Sequence, residues 1–228
     1  MALYSDLPRE GPGTVDSLLK VLEIADPPPL GRILNAGCGS GADSETLLRV
    51  FPGAEVLGIE QQPAFVEAAN ARGLRAQFTV GDMMWPPGAV DLIWCAGAIY
   101  FVGIETALEA WRSHLRLGGK IAFSEIAWMR NDVNPAAKAF WDEAYPGMSS
   151  AAALERRIEA CGYRILMAEP LGRAGWEGYY DALRRNIEAK QGQSAEMDAV
   201  IAETAAEIDV FDQHFGDFDY MVFLVEPI

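Results

Sequence analysis

The chain predicts an α/β fold: a mostly parallel, seven-stranded sheet with helices on both faces. Three observations predict it. Short apolar runs alternate with helical stretches, a glycine-rich turn follows the first strand directly, and acidic residues stand at or just past strand ends, Glu60 and Asp82. Apolar strands of this length between helices belong to parallel sheets covered on both sides.

Thr14 to Ala25 carries apolar residues at Val15, Leu18, Leu19 and Leu22, a helical stripe that Asp26-Pro27-Pro28-Pro29 stops. Arg32 to Ala36 is a short strand, and after the glycine turn a helix runs from about Asp43 to Phe51. Glu55 to Glu60 is a second strand. Pro63 suits a first helical position for a helix through Arg72, which Gly73 breaks. Leu74 to Val80 and Val90 to Cys95 follow as strands three and four. Ile104 to Arg116 reads as a helix, Gly118-Gly119 as a tight turn, and Lys120 to Ala127 as the fifth strand. Pro135 to Tyr145 and Ser150 to Cys161 then read as helices and Tyr163 to Ala168 as a strand. Trp176 to His214 is long and mostly helical, and Phe218 to Val225 is a strong terminal strand.

At 228 residues, half of them apolar and 22% charged, the chain has ample material for a buried core. Its net charge is -15, from 18 basic and 33 acidic residues, and its densest basic groups are the pairs Arg156-Arg157 and Arg184-Arg185. Nucleic-acid binding draws on a basic patch, so no nucleic-acid partner is expected. Cys38, Cys95 and Cys161 lie far apart with no C-x-x-C pair, which predicts neither a metal site nor a disulfide framework. No basic-then-apolar leader and no bilayer-length apolar run is present. A cytoplasmic chain without membrane association is the expectation.

The turn after strand one reads RILNAGCGSGAD. Gly37-x-Gly39-x-x-Ala42 satisfies a dinucleotide fingerprint, while Gly37-x-Gly39-x-Gly41 is the loop that admits S-adenosylmethionine. Glu60, nineteen positions after Gly41, suits the vicinal hydroxyls of the ribose that both ligands carry. Asp82 discriminates better: just past strand three, its carboxylate can accept from an adenine amino group while Met83 packs on the ring. Strand four ends in Cys95-Ala96-Gly97-Ala98, small residues that leave room for a methionine part.

The ordered series ILNAGCGSG, VLGIE, TVGDMM, VDLIWC and LRLGGKIAFSE resembles the class I S-adenosylmethionine-dependent methyltransferases from about Ile33 to Glu125. PREGPG, GAIYFVG and the SEIAW…FWDEAYP tract are similar to a bacterial, small-molecule branch of methyltransferase domains of type 11/25. The resemblance implies a Rossmann-like sheet with an antiparallel last strand and a helical insertion before it. It implies one domain over 1–228: an N-terminal cap segment (1–30), a cofactor-binding core (31–128), and substrate-side helices with the last two strands (129–228). S-adenosyl-L-methionine would be held by Asn35, Ala36, Gly37, Cys38, Gly39 and Gly41. Glu60 with Gln61, Gly81 with Asp82 and Met83, Cys95, and Tyr100 would complete its site, S-adenosyl-L-homocysteine being the product. Asn35 departs from the family, which usually carries an acid there. The N-terminal segment closes over the methionine end in that branch, where Arg9 would meet its carboxylate; a frayed terminus is the alternative.

Methyl transfer chiefly needs alignment and exclusion of water, so no catalytic residue is assigned. His114 lies late in a helix and His214 ends the inserted stretch; neither carries an assignment. Tyr100, at the carboxyl end of the sheet, is a substrate candidate or a core aromatic. Glu125 either steers a cationic or hydroxylated substrate or caps a helix. Trp128, Trp141, Tyr145 and Trp176 form either an aromatic wall for an amine or quaternary substrate or plain core. Residues 176–214 serve as a lid or as a homodimer contact. Two other functions stay open: an NAD-dependent oxidoreductase, against which no Tyr-x-x-x-Lys pair is found, and a cofactor-binding protein without turnover.

Overall fold

The backbone places a ligand cleft where the order of strands reverses. The computed structural model describes residues 2–4 and 7–228. Its strands are β1 (Arg32–Ala36), β2 (Glu55–Glu60), β3 (Ala76–Val80), β4 (Val90–Cys95), β5 (Leu115–Trp128), β6 (Ser149–Ser150), β7 (Tyr163–Pro170) and β8 (Phe218–Pro227). They join in the order β3-β2-β1-β4-β5-β8-β7, with the two-residue β6 beside the end of β5. The pairings β3-β2, β2-β1, β1-β4 and β4-β5 are parallel; β8 runs antiparallel between β5 and β7. From β1 the chain proceeds outward to β2 and β3, then returns to lay β4 on the other side. The carboxyl ends of β1 and β4 therefore part around a crevice, the usual ligand position in open α/β sheets.

Alternation along the strands sorts two cores. Ile33, Val56, Leu92, Trp94, Ala122, Val222 and Leu224 face α1 (Val15–Ala25) and α2 (Ala42–Val50). Leu34, Leu57, Ile93, Cys95, Phe123 and Phe223 face the opposite way, toward α4 (Ile104–Arg112) and α6 (Ala151–Ala160). The period of two is what buries both faces of one sheet. Trp111 on α4 is fully buried and donates its indole N–H to the carbonyl of Met83 at 3.0 Å. Burial of such a ring contributes roughly 2–3 kcal/mol, and the bond removes the cost of an unpaired donor. α3 (Pro63–Ala71) begins with proline at its first turn, as expected.

A third core caps the carboxyl end of β5 and the amino end of β8, which lie side by side. It joins α5 (Pro135–Ala144), α7 (Arg173–Lys190) and α8 (Ala195–His214) around Trp176, Tyr180, Phe211 and Phe218. The Trp176 indole N–H donates to Asp219 Oδ1 at 2.7 Å, while Asp219 Oδ2 accepts from the Gly172 backbone at 2.8 Å. The stretch expected from Trp176 thus begins at Arg173 and divides into two helices across 191–194. The largest of the other boundary differences lies before the fifth strand. The helix expected to reach Arg116 stops at Arg112, because Leu115 pairs with Val90 and draws the chain into β5 early. The tight-turn glycines sit in the register shift that follows, between the Val90–Leu115 and Leu92–Lys120 pairs.

Among the described residues, no helix is long and apolar enough to cross a membrane, and no cluster of three potential metal ligands occurs.

Candidate functional site

The turn after β1 is shaped by glycine and held by carboxylates. Gly37 and Gly39 have φ of 66° and 50°, left-handed values that favour glycine. A Cβ on Gly37 would lie 2.6 Å from the Ala98 methyl carbon, since the turns after β1 and β4 meet there. Every backbone N–H from Gly37 to Gly41 finds an acceptor inside the protein. Gly37 and Cys38 donate to the carbonyl of Ile59 at 2.9 and 3.1 Å, and Gly41 donates to the carbonyl of Cys38 at 2.9 Å. Gly39 donates to Glu60 Oε2 and Ser40 to Glu10 Oε2, each at 3.1 Å. The other oxygen of Glu60 accepts from Gln62 N–H at 2.9 Å.

Around this turn opens a cavity of about 630 Å³. Of the residues singled out for the cofactor, Asn35, Gly37, Cys38, Gly39, Glu60 and Gln61 line it. So do Gly81, Asp82, Met83, Tyr100 and Arg9. Asp82 is exposed at the cavity wall, one carboxylate oxygen accepting the Met84 N–H at 2.9 Å. Asn35 is buried and spends its amide N–H on Ser44 Oγ at 3.0 Å. Burial pushes the Cys38 thiol up to about 12, with the charge of Glu60 adding to it.

Three of the cofactor candidates stand elsewhere. Ala36 and Cys95 are buried in the sheet core. Gly41 is the residue just before α2, where a Cβ would press on the Phe78 ring and the Ala69 methyl group. Arg9 lines the cavity but is ion-paired with Asp43, which also accepts the Trp94 indole N–H at 2.8 Å. That pair ties the N-terminal segment to the first turn of α2.

The far end of the cavity is aromatic. Trp141, Tyr145 and Trp176 line it together with Tyr100, whose ring centroid lies 6.0 Å from that of Tyr145. Trp128 packs into the helical core and does not reach the cavity wall. Glu125 is buried behind the wall, with Oε2 lacking a partner among the described residues. Burial raises its carboxyl to about 7, against the downward pull of the Tyr145 hydroxyl and the Arg157 charge. Neither His114 nor His214 lines the cavity.

Sequence reasoning missed Glu10, Tyr4, Tyr179, Tyr220 and Glu207, all on the cavity wall. One signal for Glu207 was available. Val200, Thr204, Glu207 and Phe211 follow the i, i+4, i+7, i+11 spacing of a single helix face, and that face is the one α8 turns inward. An acid on an apolar stripe marks a polar site.

Residues 33–119 match the profile of the methyltransferase domain family. Over those residues the chain is similar to a methyltransferase domain. Trans-aconitate 2-methyltransferase of Deinococcus radiodurans is 33% identical over 97 residues, 41% of this chain and 37% of that protein. The enzyme of the same name from Paracidovorax citrulli is 30% identical over 155 residues, 62% of this chain and 57% of that protein. The chain therefore spans less than two thirds of the length of these curated relatives. A solved S-adenosylmethionine-dependent methyltransferase from Geobacter sulfurreducens, in complex with S-adenosyl-L-homocysteine, superposes with a TM-score of 0.85 at 22% identity, covering 100% of this chain and 96% of that one. The methyltransferase fold extends through the helical cap as well as the matched domain.

Proposed function

We propose that the chain transfers a methyl group from S-adenosyl-L-methionine to a small-molecule acceptor held in this cavity. The observation that carries the reading is the saturated glycine turn. The N–H groups of Gly37 to Gly41 all donate inside the protein, and Glu10, Asp43 and Glu60 crowd the same turn. A dinucleotide's pyrophosphate wants free N–H donors and no carboxylates at that point. A sulfonium, a ribose diol and an adenine amino group want acceptors and negative charge.

Glu60 holds the ribose, Asp82 accepts from the adenine amino group, and Met83 packs on the ring. Gln61, Cys38 and Gly81 wall the same end, and the free carbonyl oxygen of Asn35 offers an acceptor without a charge. Bound there, S-adenosylmethionine supplies an electrophilic methyl group, whose bond to sulfur breaks as the bond to the acceptor's lone pair forms, leaving S-adenosylhomocysteine. The chain's own work is to orient the acceptor, hold the donor's charge and exclude water. Arg9, neutralised by Asp43, fastens the N-terminal segment beside the cavity.

The acceptor named for the curated relatives, trans-aconitate, is a tricarboxylate. Among the described residues Arg9 is the one cation on the cavity wall, and it is already paired. That acceptor is therefore not carried over.

Calorimetric titration with S-adenosylhomocysteine, run beside NADH, tests the reading. Saturable binding of the first, weakened about tenfold by Asp82→Ala, and none of the second are expected. Binding of NADH alone overturns it.

A further inference from the structure

We propose that the aromatic end of the cavity binds a small organic amine as its acceptor, with Glu207 of α8 as the counter-ion. The inference rests on the methyl-transfer reading above and names its substrate class.

Charge is the first support. The wall carries the carboxylates of Glu10, Asp43, Glu60, Asp82 and Glu207, against Arg9 alone among the described residues. Asp43 and Arg9 cancel each other, so the field inside is negative. An anionic acceptor entering it would be repelled and an ammonium drawn in.

The wall's chemistry is the second support. Tyr4, Tyr100, Tyr145, Tyr179, Tyr220 and Trp141 turn toward one volume. Aromatic faces attract a desolvated cation through their quadrupole. Tyr100 and Phe101 lie 4.1 Å apart between ring centroids where the wall reaches the surface, forming an apolar rim.

Glu207 supplies the charge at depth. It sits on the inward face of α8, its Oε1 accepting the Tyr180 hydroxyl at 2.7 Å, and it joins no ion pair among the described residues. A carboxylate withdrawn from water without a cation is unfavourable, and burial accordingly raises its proton affinity. A bound ammonium would supply the missing partner.

An independent mark of a ligand is Trp141. Its side chain is more than nine-tenths buried and lines the cavity, and its indole N–H has no acceptor among the described residues. Buried donors of this kind are normally satisfied, so the ligand carries an acceptor atom as well as the amine.

Transfer requires a free lone pair on nitrogen. The ammonium passes one proton to the Glu207 carboxylate. The lone pair so freed forms the N–CH3 bond while the methyl–sulfur bond breaks and leaves its electron pair on sulfur. The products are the N-methylated ammonium and S-adenosylhomocysteine, with charge conserved.

The test is calorimetry on protein saturated with S-adenosylhomocysteine, using phenethylamine, benzyltrimethylammonium and phenylacetate as probes. Both cations are expected to bind saturably and phenylacetate not at all. Glu207→Gln should weaken the cations at least about tenfold while leaving S-adenosylhomocysteine affinity unchanged. Tyr100→Leu, at a side chain 38% exposed and so safe for folding, should weaken them about threefold. Phenylacetate binding as well as phenethylamine, absence of binding by both cations, or cation affinity indifferent to both substitutions overturns the proposal. Failure of S-adenosylhomocysteine itself to bind is a separate result: it removes the methyl-transfer reading and this proposal with it.

Discussion

The two ends of the cavity are built on opposite principles. At the glycine turn the backbone is the material: positive φ at Gly37 and Gly39 bends the chain, and Glu10 and Glu60 absorb N–H groups that would otherwise face the ligand. At the aromatic end side chains are the material, brought from the N-terminal segment, β8, α5, α7 and α8. There the wall leaves the Trp141 N–H without a partner among the described residues, and just behind it Glu125 Oε2 is in the same state. The difference teaches what each end is for. A turn with its donors already satisfied offers a ligand shape and carboxylate oxygens rather than N–H groups. A wall with unsatisfied polar groups pays for its partner in advance, and that confers selectivity.

The largest expected effect breaks the first end alone. Gly37→Val forces a β-branched residue to φ 66° and sets its Cβ 2.6 Å from that of Ala98. Binding of S-adenosylhomocysteine should fall roughly 100-fold or more, measured by calorimetry, at a strain cost of about 3 kcal/mol.

A pH experiment sharpens the second end. The Glu125 carboxyl stands at about 7 in the folded chain against an ordinary 4.5, chiefly through burial. Between those values the folded protein keeps a proton that the unfolded chain has released. Stability contributed by this group is therefore complete below about pH 4.5, falls as pH rises toward 7, and is level above it. Glu125→Gln keeps the shape of the side chain without the ionisation. It should be more stable than the parent by about 2–3 kcal/mol above about pH 8 and equal to it near pH 4, by urea denaturation at each pH. A constant difference across that range would show that Glu125 does not titrate as its burial demands.

The smallest effect returns to the turn. Glu60→Gln retains one acceptor oxygen, so either Gly39 or Gln62 loses its partner and the carboxylate charge is gone. S-adenosylhomocysteine affinity should drop about tenfold, or roughly 1.4 kcal/mol, with cation binding at the aromatic end unaltered.

The same contrast governs what could be read in advance. Gly37, Glu60 and Asp82 were legible because their positions are set by short-range rules: a turn after a strand, an acid at the next strand's end. The sheet followed from alternating apolar runs, including the strong terminal run Phe218 to Val225. Glu10 was hidden because the carboxylate capping Ser40 comes from thirty positions upstream. Tyr179 was hidden because the role of α7 appears only when it folds over β5 and β8, whereas Glu207 left only the faint signal of its helix-face spacing. Even the early end of α4 is a tertiary effect, since Leu115 joins β4 rather than continuing a helix.

A crystal structure of the protein with S-adenosyl-L-homocysteine tests the central claim most directly. The account predicts the ribose hydroxyls on Glu60, the adenine between Asp82 and Met83, and the sulfur turned toward Tyr100 and Trp141. An adenosine lodged among the tyrosines, or a glycine turn with no ligand against it, would contradict the division of the cavity into a donor end and an acceptor end.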